Sequence, residues 1–135
     1  MGKRSTSRRL AMQAVYQAEI SGNSIDETVA NVFSSQEFIE ETRDFAAKLA
    51  RSAWANRGEN DKIVTKLAID WPLDRIGKVD HSILRIALQE IKEGVTPVSV
   101  VVDEAVEMAK KYSSEEAAKF INGILGAYLR SAPQG

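Results

Sequence analysis

Residues 95–124 read VTPVSVVVDEAVEMAKKYSSEEAAKFINGI, and this stretch decides the fold class. Pro97 provides a helix start, because proline at the first helical position gives up no hydrogen bond that the helix needs. Ser113 and Glu116 match the S-x-x-E capping box, which predicts a second helix directly after the first. Apolar residues recur in the first helix at three- and four-residue spacing, and they predict one buried face: Val98, Val101, Val102, Ala105, Ala109 and Tyr112.

Helix signals recur along the rest of the chain. The S-x-x-E pattern is repeated at residues 24–27 and 34–37, and Gly22 and Gly94 are placed to end the helices before them. Every β-branched run lies inside a stronger helical period, so the sequence predicts an all-α fold. The predicted helices before the opening stretch cover about residues 6–21, 25–33, 34–56, 59–69 and 79–93, with a short turn at 73–76.

Two further features concern the organisation of the helices. Residues 70–73, Asp-Trp-Pro-Leu, interrupt the helical pattern, because proline disfavours helical geometry in the residue before it. We place the junction between two helical halves there. The helix at 79–93 is apolar on most sides, which is typical of the centre of a core. We expect residues 2–7 to form a mobile arm and residues 131–135 to be a disordered tail.

Composition limits the class of protein. The chain has 135 residues, 44% of them hydrophobic and 27% charged, as in one ordinary globular domain. It has no cysteine and one histidine, His81, which excludes disulfides, thiolate metal sites and a histidine metal cluster. No apolar run approaches the ~20 residues of a membrane span and no signal peptide opens the sequence, so we expect a cytoplasmic protein. Without a phosphate loop or nucleophile elbow, we expect no catalytic residue, cofactor or metal ion.

Charge is unevenly distributed along the chain. The net charge of −1 argues against indiscriminate nucleic-acid binding. Residues 1–10 nevertheless contain four basic residues and no acid, whereas residues 19–44 contain seven acids and one base. Arg8 and Arg9 lie at the start of the first predicted helix, where guanidinium groups and free backbone N–H groups favour phosphate. A solubilising or tag-derived basic tail is the alternative interpretation.

Three blocks of sequence together resemble the NusB family of bacterial transcription antitermination factors. They are RRLAMQAVYQ at residues 8–17, VDHSILRIALQEI at 79–91 and EAVEMAKKYSSEEAAKFINGIL at 104–125. The resemblance extends over roughly residues 8–129. It implies a single NusB-like RNA-binding domain in residues 1–135, made of two small helical bundles packed together. We expect the N-terminal half at about 6–69 and the C-terminal half at about 73–130.

The resemblance also implies a ligand, boxA-type single-stranded RNA of ribosomal RNA operons. In NusB-like proteins an arginine-rich N-terminal segment binds this RNA, and its end corresponds to Arg8 and Arg9. Serines and threonine stand beside them where some relatives are more basic. The family's KFxNG motif lies at the RNA-binding surface and matches Lys119 and Phe120, and unpaired bases commonly stack on such rings. Tyr16 is the second aromatic candidate, although both rings could equally be core residues.

Four other residues complete the expected surfaces. Glu116 lies one helical turn before the lysine–phenylalanine pair, so we expect its carboxylate to repel a bound phosphate. For Asn122 and Gly123 we expect close packing between helices. Asp80 matches an acidic position that the family uses toward NusE, a basic ribosomal protein of the small subunit; the alternative is that Asp80 caps its helix. We expect His81 to be an exposed residue at a helix start.

The resemblance leaves three alternatives open. The chain could be a helical protein-interaction adaptor with little or no specific RNA binding, since its basic residues are few. NusB-like proteins include monomers and homodimers, and a dimer through the arginine-rich face would cover the RNA site. Some RNA cytosine methyltransferases carry a NusB-like domain before a catalytic domain, but this sequence stops where that domain would begin. We therefore expect a non-enzyme that assembles with the elongating RNA polymerase.

Overall fold

The computed structural model describes residues 3–131. Within this range it contains no strand, which confirms the all-α prediction, and no helix that is long and apolar enough to cross a membrane. A 3₁₀ turn at Leu73–Arg75 interrupts the helices, as predicted. The α-helices are α1 (Lys3–Ser21), α2 (Ile25–Phe33), α3 (Glu40–Ala55), α4 (Arg57–Leu67), α5 (Lys78–Glu93), α6 (Val98–Tyr112) and α7 (Glu115–Ser131).

Helix α5 lies at the centre of the core, as its apolar sequence predicts. Every residue from His81 to Glu90 is buried, and α5 contacts α1, α3, α4, α6 and α7. Gly94 ends the helix with a φ of 73°, a conformation that glycine adopts without steric cost. Buried apolar side chains from all seven helices form one cluster, which includes residues on both sides of the junction at 70–73. The division into two halves stays a prediction.

The capping box at α2 forms, but the next one does not. Ser24 Oγ accepts the backbone N–H of Glu27, whose carboxylate accepts the backbone N–H of Ser24. The box predicted at residues 34–37 is wrong, since α3 begins at Glu40, six residues after Ser34. The rings of Phe33 and Phe38 pack with their centroids 6.4 Å apart, and this contact holds the intervening segment as a turn between two helices.

The cap of α7 is shifted by one residue from its predicted position. Ser114 Oγ accepts the backbone N–H of Ala117 at 3.0 Å, so Ser114 and not Ser113 caps the helix. Ser113 instead ends α6 in an irregular conformation, with φ −134° and ψ −102°. Because Ala117 stands three residues after Ser114, this cap lacks the reciprocal glutamate of the predicted capping box.

The predicted mobile arm is wrong for residues 3–7, which form the first turns of α1. Ser5 Oγ donates a 2.7 Å hydrogen bond to the Glu104 carboxylate, and Ser7 Oγ donates a 2.9 Å bond to the Thr42 carbonyl. These bonds hold the start of α1 against α6 and α3. Residue 2, the first of the predicted arm, and residues 132–135 of the predicted tail lie outside the described residues; Ser131 is helical.

Candidate nucleic-acid interface

Arg8 lies at the centre of a buried ion-pair network, and only 4% of the residue is exposed. Its Nε and Nη2 donate to the two carboxylate oxygens of Glu90 at 2.8 and 2.7 Å, and its Nη1 donates to Glu104 at 3.2 Å. Burial alone would lower the pKa of Arg8, but the hydrogen bonds and charge of Glu90 outweigh burial and raise it. This arrangement does not support the prediction that Arg8 binds RNA. Arg8 instead attaches α1 to α5 and α6.

Arg9, the next residue of α1, is half-buried. It lines a groove between α1 and α6 with a cavity volume of about 590 Å³. Lys110 and Lys111, from the last turn of α6, line the same groove. No local sequence pattern joins these two lysines to Arg9, because about a hundred residues separate them along the chain. Arg4 is partly engaged elsewhere, with its guanidinium carbon 3.9 Å from the Phe45 ring centroid.

Lys119 and Phe120 face in different directions. Lys119 is exposed in a groove between α6 and α7 of about 630 Å³, where Asn122 also lies. The half-buried Phe120 ring packs on Trp71, with centroids 5.7 Å apart and planes inclined by 35°. Trp71 is 52% exposed and belongs to the same aromatic pair, although sequence reasoning treated it only as part of a helix break. The sequence signal that was missed is a tryptophan beside a proline in the break between two helices.

The packing role predicted for Asn122 and Gly123 is wrong. Both residues are exposed, and a Cβ added at Gly123 would meet no atom within 4 Å. Tyr16 is half-buried and lines a third groove, between α1 and α2, of about 470 Å³. Neither Lys119 nor Phe120 lines that groove. Tyr16 does share a face of α1 with Arg9, because seven residues make nearly two turns, or roughly 10 Å.

Asp80 lies in the first turn of α5, and it does not form the cap that was the alternative to partner binding. The N-cap is Gly77, and no side chain hydrogen-bonds to the end of the helix. The buried Oδ1 of Asp80 has no hydrogen-bond partner among the described residues, and the carboxylate lies near the positive end of the α5 dipole. The prediction that His81 is exposed is wrong. His81 is buried, with Nε2 2.7 Å from Oδ1 of Asp61.

A second buried network surrounds Arg85 on α5. Its Nε and Nη2 donate to the carboxylate of Asp61 at 3.0 and 2.7 Å, and its Nη1 donates to Glu19 at 2.8 Å. Burial would raise the pKa of Asp61, but the hydrogen bonds from His81 and Arg85 outweigh burial and lower it to about 2. The two networks therefore attach α1 to α5 at two separate positions, through Arg8 and through Glu19.

Comparisons of this chain with known proteins all indicate the same family. The NusB family profile matches residues 5–130. Transcription antitermination protein NusB of Symbiobacterium thermophilum is 38% identical over 136 residues, which cover 94% of this chain and 89% of that protein. The same-named protein of Acetivibrio thermocellus is 39% identical over 131 residues, covering 96% of this chain and 90% of its own length.

Solved structures with the same fold include a complex with RNA. A chain in the crystal structure of antitermination factors NusB and NusE in complex with double-stranded RNA has a TM-score of 0.89 and 28% identity, and the match covers 97% of this chain and 98% of that one. The solution structure of NusB from Aquifex aeolicus has a TM-score of 0.83 and 28% identity, covering 100% and 95%.

Proposed function

Because this chain belongs to the NusB family of transcription antitermination proteins, we propose that it binds boxA-type RNA of ribosomal RNA operons together with NusE. The observation that carries the proposal is the similarity over nearly the whole chain to the solved complex of NusB, NusE and RNA. In this proposal the complex joins the elongating RNA polymerase in the cytoplasm. The role is binding, with no catalytic step.

Two surfaces of the chain would hold the two partners. Arg9 on α1 and the Lys119–Phe120 pair on α7 would contact RNA, and Asp80 at the start of α5 would contact the basic NusE. The two surfaces lie on helices that pack together, since α7 contacts α5, and Trp71, which packs on Phe120, precedes α5 in the chain. Adjacent binding raises affinity, because each partner finds the other at high effective concentration. A homodimer that covered the Arg9 side of α1 would block the RNA surface.

A titration against RNA tests this function. We expect the protein to bind a short boxA-containing RNA more tightly than a scrambled RNA of equal length, and we expect NusE to increase the difference. Fluorescence anisotropy of labelled RNA, with and without NusE, measures both effects. Equal binding to the two RNAs, or none, alongside intact NusE binding would overturn the proposal in favour of a helical protein-interaction adaptor.

Glu116 allows a sharper test of the α7 surface. It is exposed in the first turn of α7, one turn before Phe120, and its carboxylate opposes a phosphate there. We expect Glu116→Gln to tighten boxA binding by up to about fivefold in low salt, the size of an exposed charge effect. Glu59→Gln removes the same charge from the first turn of α4 and is the matched control. If both variants bind like the parent protein, the RNA does not pass the first turn of α7.

A further inference from the structure

We propose that the groove between α1 and α6 binds the phosphates of single-stranded RNA, with Lys110 and Lys111 as contacts beside Arg9. This inference rests on the proposed RNA binding and names residues for it that the sequence did not indicate. The groove also adds cations to those of the basic N-terminal segment, in which two arginines already contact other side chains. Arg8 is buried on Glu90, and Arg4 lies against Phe45.

The charge of the groove favours an anion once its internal pairs are counted. Of the two acids that line it, Glu104 is already engaged by Arg8 at 3.2 Å and by Ser5 at 2.7 Å. The other, Glu107, faces Lys110 at 3.7 Å in an exposed pair, which holds the lysine weakly. Three cations therefore face one remaining acid. Phosphate binding would replace the weak pair with a charge-assisted hydrogen bond.

The neighbouring groove between α6 and α7 has the opposite balance. It is lined by Lys110 and Lys119 but also by three acids, Asp103, Glu107 and Glu115. The phosphates of a strand would therefore bind more tightly on the α1 side of α6 than in this groove, where Lys119 is the contact already proposed. The free carbonyl groups at the C-terminal end of α6 carry a partial negative charge, which disfavours phosphate. Lys110 and Lys111 in the last turn of α6 offset that charge.

An aromatic ring in the groove favours nucleic acid over an acidic peptide. Tyr112 is half-buried among the lining residues, and Lys111 Nζ lies 5.6 Å from its ring centroid. Proteins that bind single strands place cations along the backbone and an aromatic ring under a base. An acidic peptide would use the cations but leave the ring unused. The combination therefore matches an unpaired nucleotide.

The test is the salt dependence of RNA binding by Lys110→Gln with Lys111→Gln. Each phosphate contact on a single strand contributes about 0.7 to the slope of log affinity against log salt, so losing two contacts should flatten the slope by about 1.4 and weaken binding on the order of 20-fold at 0.1 M salt. Lys62→Gln with Lys66→Gln removes two exposed lysines from α4 and is the control, expected to keep the parent slope. Replacing Lys110 and Lys111 by arginine should preserve binding, because the charge is retained.

A variant with the opposite expected effect on RNA binding distinguishes a lost contact from a loss of folding. Glu107→Gln removes the remaining acid of the groove and should tighten binding about two- to fivefold. If the parent protein binds boxA RNA but the lysine variant keeps its slope and affinity, the groove inference is overturned while the proposed function stands. If the lysine variant instead loses NusE binding alone, the groove is a protein-docking surface. If the parent binds no RNA, both the proposed function and this inference fail.

Discussion

Arg8→Ala should lower the free energy of unfolding by about 3–5 kcal/mol, the cost of leaving a buried charge without its partner. The substitution removes both short hydrogen bonds to Glu90, which is itself buried on α5. The Glu90 carboxylate would then have to bind water or a proton in the interior. Urea denaturation followed by circular dichroism measures the change.

Arg9→Ala is the control for this prediction. Arg9 follows Arg8 directly in sequence but faces the groove, so its loss should change stability by no more than about 0.5 kcal/mol while weakening RNA binding. Arg8→Met combined with Glu90→Leu should regain much of the stability lost by Arg8→Ala, since apolar residues can replace a buried pair. If Arg8→Ala lowered the free energy of unfolding by less than about 1 kcal/mol and weakened RNA binding as much as Arg9→Ala, Arg8 would instead be an RNA contact.

The contrast between the two arginines matters for any study of this segment. Replacing both at once would weaken RNA binding through partial unfolding as well as through the lost contact. A conclusion about the RNA surface therefore requires the single Arg9 variant. Binding should be measured only under conditions where circular dichroism shows the Arg8 variant to be folded.

Local periodicity was sufficient to predict the order of the helices and the central position of α5, although not the starts of α1 and α3. Its apolar residues occur on most sides of the helix. This pattern can be recognised from the residues of α5 themselves, without information about the helices around it. Gly94 likewise ends α5 through its own left-handed conformation. These features depend on residues within a few positions of each other, which is the range that a sequence pattern describes.

The candidate site was predicted less accurately than the helices, because the site depends on contacts between segments that are distant in sequence. Arg8 and Arg9 look equivalent in sequence, and only the position of Glu90, 82 residues away, separates their roles. Lys110 joins Arg9 in one groove only after α6 packs beside α1. Trp71 and Phe120 form an aromatic pair across 49 positions. The sequence contains these residues, but it does not show which residues they contact in the folded protein.

Arg85→Ala should be the second costly substitution, lowering the free energy of unfolding by about 3 kcal/mol. Arg85 donates three hydrogen bonds, two to Asp61 and one to Glu19, and its loss would leave Asp61 with the hydrogen bond to His81. Arg85→Lys should cost less than alanine, because lysine keeps the charge, but it should still destabilise the protein because a single ammonium cannot reproduce the planar fork. Urea denaturation at constant pH compares the three proteins.

The pair between Arg51 and Asp26 provides the matched control, since it has the same 2.7 Å nitrogen–oxygen distance as Arg85 and Asp61. The side chains of Arg51 and Asp26 are 55% and 72% exposed, against 6% and 17% for Arg85 and Asp61. Water screens the exposed pair and solvates whichever partner remains, so Arg51→Ala should cost no more than about 1 kcal/mol. Equal losses for Arg51→Ala and Arg85→Ala would show that burial does not determine the value of these pairs, and the structural role assigned to Arg8 would fail by the same argument.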